Sequence, residues 1–266
     1  TLMAGRTPLG SQATVQITQV PEAELVDGER LAAYLNAAQH VGHQNPIHLH
    51  VWPEAALGSD LTAQPAALQQ AAQQLGGSIL SGAKRQLSSG AWLNSAAAAD
   101  AVGVRYVLDK RWLVPIYEAA FEPGAGERWP LFVADWRVAT LICWESLFLD
   151  EARRRVRPGA DVLVVLAHDG WAHGTLTPRW HALAGRLLAW SLGRPVLFAS
   201  HEGPSMVWSF DGRLLAESSA GRDQLRLALA PAAHWTPPYL HLGAGWLWFC
   251  WGVAALCWGW WLRPVR

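Results

Sequence analysis

Short apolar runs rich in β-branched residues alternate with longer stretches of helical periodicity through most of this chain. Residues 13–20 alternate apolar and polar positions, which predicts a strand. Residues 27–41 place Leu31, Tyr34, Leu35 and Ala38 on one face and predict an amphipathic helix. Further strands are expected at 47–52, 78–83, 91–97 and 104–108, with an Ala/Gln-rich helix over 63–75 stopped by Gly76-Gly77. A loop is expected over 115–130. Beyond it the pattern predicts a strand at 137–142, a helix at 147–156, a buried strand at 161–166, a helix at 178–192 and a strand at 195–199. Three short strands at 206–210, 213–217 and 225–229 complete the domain, with a turn at Asp211-Gly212. Strands alternating with helices predict an α/β domain whose sheets are covered on both faces.

The last stretch breaks this rhythm. Residues 240–262 carry no charged side chain, and six of the chain's 17 tryptophans fall between Trp246 and Trp261. About 20 apolar residues span a bilayer, so the stretch is expected to be one C-terminal transmembrane helix. Arg263 and Arg266 come directly after it, which places the C-terminus in the cytoplasm and the main domain in the bacterial periplasm by the positive-inside rule. Pro237-Pro238 marks the linker. The expected division is therefore a catalytic domain over 1–236 and a linker with membrane helix over 237–266. Thr1 is not an initiator residue and no signal peptide precedes the domain. Upstream sequence, with membrane helices of its own, is expected.

With 21 basic and 21 acidic residues in 266, the formal net charge is zero, and no nucleic-acid footprint is present. Of three cysteines, Cys250 and Cys257 lie in the apolar segment, so Cys143 has no disulfide partner in the rest of the chain. It comes after the apolar run 137–142 and precedes a helical one. A strand-to-helix turn there would aim backbone N–H groups beside the thiol, favouring a thiolate and an oxyanion. A buried, inert cysteine is the alternative.

Two other strand exits carry ionisable groups. Glu54 comes after Trp52-Pro53 and is either a general base or a solvated cap. Lys110 comes after 104–108; it either holds a developing oxyanion or is a surface charge. Glu118 is placed to orient Lys110, and Glu145 to bond within the site or favour the helix start. His48 and His50 share a strand face, and His168 and His173 flank Asp169. Ordinary hydrogen-bonded or exposed histidines are expected there, with no metal and no cofactor.

The motifs Trp52-Pro53-Glu54, Lys110…Leu113-Val114-Pro115…Glu118 and Ile142-Cys143-Trp144-Glu145 resemble those of the carbon–nitrogen hydrolase (nitrilase) superfamily, within it the apolipoprotein N-acyltransferases. Asp169-Gly170-Trp171, Pro178…His181, Gly193-Arg194-Pro195 and Gly203…Asp211-Gly212 add to the resemblance, as does the arginine-ended apolar tail. It implies a four-layer α-β-β-α sandwich with a catalytic Glu54–Lys110–Cys143 triad. Glu54 would be the base, Lys110 would stabilise the tetrahedral intermediate, and Cys143 would form a thioester. The backbone N–H of Trp144 would complete the oxyanion hole, with Glu118 and Glu145 as accessory acids. The implied reaction is acyl transfer from a phospholipid to the N-terminal amine of a lipoprotein, at the bacterial inner membrane.

The chain departs from that pattern at several places. Trp144 stands where the family usually has tyrosine, His168 where it has asparagine, His201-Glu202 where it has Asn-Asn, and Ser191 where it has glutamate. The segment from Lys110 to Cys143 is also short. That shortening is shared with nitrilase-like conjugal transfer (TraB-type) proteins, which remain an alternative, as does a membrane-tethered amidase.

Overall fold

The computed structural model describes residues 12–39, 46–58, 61, 65–127, 131–133, 136–219, 224–230 and 236–261. Two mixed sheets form its centre. The first has seven strands: β1 (Ala13–Thr18), β2 (Leu49–Trp52), β3 (Ser78–Gln86), β4 (Trp92–Ala99), β5 (Val104–Asp109), β6 (Gly126–Glu127) and β13 (Gln224–Leu229). Their spatial order is β13-β1-β2-β3-β4-β5-β6. The second sheet holds β7 (Leu131–Val133), β8 (Trp136–Ile142), β9 (Val162–His168), β10 (Val196–His201), β11 (Met206–Trp208) and β12 (Leu214–Glu217), in the order β12-β11-β10-β9-β8-β7.

Period-two alternation sorts the first sheet's side chains between two cores. Leu49 and Val51, Leu80, and Ala96 with Ala98 face the large core shared with the second sheet. Trp52, Ile79, Ala97 and Ala99 point the other way, into a smaller core with Tyr34 of α1 (Arg30–Gln39) and Leu68 and Ala71 of α2 (Pro65–Leu75). The central strands β8, β9 and β10 are buried on both faces, because α3 (Leu149–Val156) and α4 (Thr177–Leu192) cover their far side. Near-continuous apolar runs such as Val162-Leu163-Val164-Val165-Leu166 result from that double burial. The outcome is the expected α-β-β-α layering.

Parallel β1–β2–β3 and β8–β9–β10 bring the C-terminal ends of their strands to one edge. Glu54, Cys143 and His168 sit at or just past three of these ends, and Lys110 leaves antiparallel β5 beside them. The predicted elements shift by only a few residues. The expected loop 115–130 does carry β6, which is held against β5. At Cys143 the strand gives way to a five-residue 3-10 helix (Cys143–Leu147), and the α-helix starts only at Leu149.

The C-terminal segment corrects the expectation of one continuous span over 240–262. It is two helices, α5 (Pro238–Leu242) and α6 (Gly245–Trp261), separated at Gly243, whose φ of 54° stops the first. Arg153 of α3 secures that stop, donating to the carbonyls of Tyr239 (3.0 Å), Leu240 (2.9 Å) and His241 (2.6 Å). Tyr239 Oη donates to Asp150 at 2.8 Å. Seventeen residues make α6 about 25 Å long, and no helix among the described residues is long and apolar enough to cross a membrane. Leu262 and the terminal arginines lie outside the described residues. Among the described side chains of α6, Trp248, Trp251, Leu256 and Trp260 are all more than two-thirds exposed.

Close packing at the strand ends is testable at Gly82 of β3. A Cβ there would lie 2.5 Å from Glu54 Cα and 2.6 Å from Ala55 N, both backbone atoms. Gly82→Ala is expected to destabilise the fold by about 1–3 kcal/mol by overpacking, read as a lowered midpoint in urea unfolding.

Candidate active site

Lys110 is the centre of the site. Its ammonium is 1% exposed and lies 3.0 Å from Glu54 and 2.8 Å from Glu118. Its backbone is fixed on both sides, donating to Asn94 O at 2.8 Å and accepting from Gly124 N at 2.7 Å. Asn94 Nδ2 donates to both carboxylates at 2.7 Å, so one amide and one ammonium hold the two acids apart. Glu118 also accepts from the backbone N–H of Val114 at 2.7 Å, which ties the Pro115 turn down over the site.

Cys143 stands at φ 48°, left-handed backbone that a non-glycine residue adopts only where its surroundings impose it. The imposed geometry is visible in its neighbours. Buried Glu145 accepts from the N–H of Ile142 at 3.1 Å and of Arg111 at 2.8 Å, joining the exits of β8 and β5. His181 of α4 bonds Asp169 through Nδ1 at 2.7 Å; with its proton there, Nε2 accepts from Ser146 Oγ at 2.9 Å. Asp169 in turn accepts from Ser200 Oγ at 2.5 Å. Ala55 (φ 58°) and Ile116 (φ 72°) repeat the left-handed conformation beside Glu54 and Glu118. Strained backbone thus clusters where the ionisable groups converge.

Glu54, Lys110, Glu118 and Cys143 line one cavity of about 250 Å³, with Asn94, Tyr117, Phe121, His168 and Trp171. Trp144 and Glu145, grouped with them by sequence, have other places. The Trp144 ring meets Phe148 edge-on at 5.9 Å, and Glu145 lies behind the turn as a brace. Asn94, Ser146 and Ser200 escaped the sequence reading. Asn94, which with Ser95 interrupts the apolar run of β4, alone of the three had a visible signal.

Charge and burial set the resting protonation. Burial by itself would raise the Glu54 carboxyl, but the Lys110 charge and the hydrogen bonds from Lys110 and Asn94 outweigh it, and the group sits below the usual carboxylate range. Burial opposes the Lys110 ammonium, yet Glu54, Cys143 and Glu118 together hold it above the usual lysine range. The Cys143 thiol is pushed well up by burial and by Glu54, against the opposing pull of Lys110. The resting set is therefore carboxylate, ammonium and thiol. A carboxylate facing a protonated thiol is placed to accept its proton as the sulfur attacks, with the ammonium beside the developing charge.

Fold and site together define a class. Residues 12–235 match the Carbon-nitrogen hydrolase family, and the chain belongs to it. Among curated relatives it is similar to proteins named apolipoprotein N-acyltransferase, from Vibrio vulnificus (27% identical over 246 residues, 80% of this chain and 48% of that protein) and Sinorhizobium medicae (31% over 241 residues, 77% and 45%). The chain spans about half the length of the curated relatives it matches. Two solved structures share its fold: a carbon-nitrogen hydrolase from Helicobacter pylori (TM-score 0.72, 16% identical, 82% of this chain and 89% of that one) and an amidase from Nesterenkonia sp. (TM-score 0.70, 22% identical, 91% and 97%).

Since Glu54 raises the Cys143 thiol and Lys110 lowers it, the two charges should act oppositely on alkylation. The iodoacetamide rate of Cys143 is expected to keep rising above pH 9 without a neutral plateau. Glu54→Gln should shift that profile to lower pH and Lys110→Met to higher pH, measured by mass spectrometry of the modified peptide.

Proposed function

We propose that this chain is the catalytic part of a membrane-anchored N-acyltransferase that moves a fatty acyl chain from a phospholipid, through a Cys143 thioester, to the N-terminal amine of a lipoprotein. The observation that carries the reading is the buried Glu54–Lys110–Cys143 cavity in a family member whose similar curated relatives are named for that transfer. In the first half-reaction Glu54 takes the thiol proton as Sγ attacks the ester carbonyl. Lys110 Nζ and the backbone N–H of Trp144 receive the oxyanion. The tetrahedral intermediate collapses to the thioester, and Glu54 returns the proton to the departing alkoxide, releasing lysophospholipid. In the second, the lipoprotein amine attacks the thioester, Glu54 removes its proton, and the thiol is restored as the amide forms.

Attachment to the inner membrane is part of the same proposal, with 1–236 the periplasmic catalytic domain and 237–266 the linker and anchor. Its support is the apolar, tryptophan-rich sequence of α6, in which Trp248, Trp251, Leu256, Trp258 and Trp260 are exposed. Tyr117 and Trp171, which line the cavity, are also exposed and would meet lipid chains.

One observation favours a second reading, hydrolysis of a small amide. The cavity of about 250 Å³ is below the roughly 300–1,000 Å³ typical of ligand sites, so an acyl chain must leave through its mouth. Incubation of the membrane-reconstituted protein with an alkyne-tagged phospholipid separates the two. Acyl transfer predicts a hydroxylamine-sensitive label on Cys143, absent in Cys143→Ala and slowed at least about 100-fold in Glu54→Gln and Lys110→Met. No label on a protein that releases ammonia from short amides would replace acyl transfer with hydrolysis.

A further inference from the structure

Beside the cavity, and outside the proposed chemistry, two histidines end neighbouring parallel strands. His168 closes β9 and His201 closes β10, and the two are register partners. Their rings meet edge-on, centroids 4.9 Å apart. Facing them is Glu22, in the 3-10 turn Glu22–Glu24 beyond the end of β1 in the other sheet. Glu22 Oε2 lies 3.2 Å from His201 Nε2. One donor atom each from Glu22, His168 and His201 falls within 4.8 Å of the others.

His201 is the telling member. Its side chain is 1% exposed, and neither ring nitrogen has a hydrogen bond; the contact with Glu22 lacks the angle for one. A buried polar group without a bond costs about 1–3 kcal/mol. The surroundings lean negative: Glu202 accepts from the Glu22 backbone N–H at 2.7 Å, and Asp27 and Glu22 Oε1 share Arg30 at 3.0 and 2.7 Å. Three carboxylates thus stand against one guanidinium, and Oε2 of Glu22 lies against His201.

We propose that His168, His201 and Glu22 form a binding site for a divalent transition metal ion of the Zn²⁺ class. Two imidazole nitrogens and one carboxylate oxygen suit such an ion, which keeps a fourth position for water. Bond lengths of about 2.0–2.1 Å put tetrahedral donors about 3.3 Å apart. The three donor atoms, all within 4.8 Å of one another, have to draw in by at most about 1.5 Å to reach that spacing. The bound ion joins the exit of β1 to the exits of β9 and β10. That route is already used by Gln19, which donates to Ser200 O at 2.5 Å and Gly203 O at 2.7 Å. His168 also lines the Cys143 cavity, so the clip borders the candidate active site without including its nucleophile.

The test is metal content. The whole chain in detergent micelles is stripped with chelator, dialysed against Zn²⁺ and analysed by elemental mass spectrometry, with folding checked by circular dichroism. One equivalent per chain is expected, retained in Cys143→Ala and in the Cys250→Ser/Cys257→Ser pair. His168→Asn and His201→Asn should each weaken binding at least about 100-fold. Glu22→Gln, at an exposed position that leaves the core intact, should weaken it about 10-fold and serves if a histidine variant misfolds. Co²⁺ should give the visible absorption of a four-coordinate N/O site, lost in the same variants. Absence of retained zinc, equal binding in all three site variants, or loss only in the cysteine variants would each overturn the assignment.

Discussion

Lys110 places a full positive charge in the interior, and the neighbourhood is built around satisfying it. Glu54 and Glu118 lie within 3.0 Å of its ammonium, and Asn94 bridges both acids from β4. Removing one partner of such a buried set typically costs about 3–5 kcal/mol, because the remaining charge is stranded in low dielectric. Four segments therefore have to arrive together: the exit of β2 with Glu54, strand β4 with Asn94, the exit of β5 with Lys110, and the next turn with Glu118. The cluster constrains the architecture as much as the architecture positions the cluster.

The second sheet brings its contribution to the same edge by a different device. Cys143 needs no charge partner of its own to be held, since its left-handed backbone is braced by Glu145 on one side and by the Asp169–His181–Ser146 chain on the other. Glu145 is informative here because its carboxylate bonds the main chain of both β8 and the segment after Lys110. It couples the nucleophile's turn to the ammonium's strand across the two sheets. In the proposed mechanism that coupling matters, because an oxyanion must fall between Lys110 Nζ and the N–H of Trp144, and misplacement by 1 Å can cost about 100-fold in rate.

Apolar surface is distributed unevenly outside the core. The mouth of the cavity and α6 carry large exposed aromatic groups, while the outer helices α1 and α2 bury their apolar faces against the first sheet. Arg153 determines where α6 departs, by occupying the carbonyls at the end of α5. A guanidinium at a helix C-terminus is favoured by the helix dipole as well as by the hydrogen bonds. For the proposed transfer between two membrane-held substrates, an apolar arm and an apolar mouth are physically consistent.

Much of this molecule is legible from residues alone. Alternation in β1 to β4, the doubly buried runs of β9 and β10, and the glycine and proline stops arise from local chemistry, so the order of elements and the α/β class could be read directly. Glu54, Lys110 and Cys143 were visible because each stands at a strand exit in a recognisable motif, and Glu118 because it completes the motif that begins at Lys110. The partners of Asn94, the brace role of Glu145 and the His168–His201–Glu22 cluster were not visible, since each depends on contacts between segments 24 to 180 residues apart. The continuous membrane helix expected over 240–262 failed at Gly243 for the same reason. Hydropathy reports how apolar a segment is, whereas the break combines the left-handed backbone of Gly243 with Arg153, about 90 residues earlier, capping the last carbonyls of α5. Local patterns determine which elements form and which face of each is apolar; only the tertiary structure decides which polar atoms meet, because burial makes those pairings obligatory.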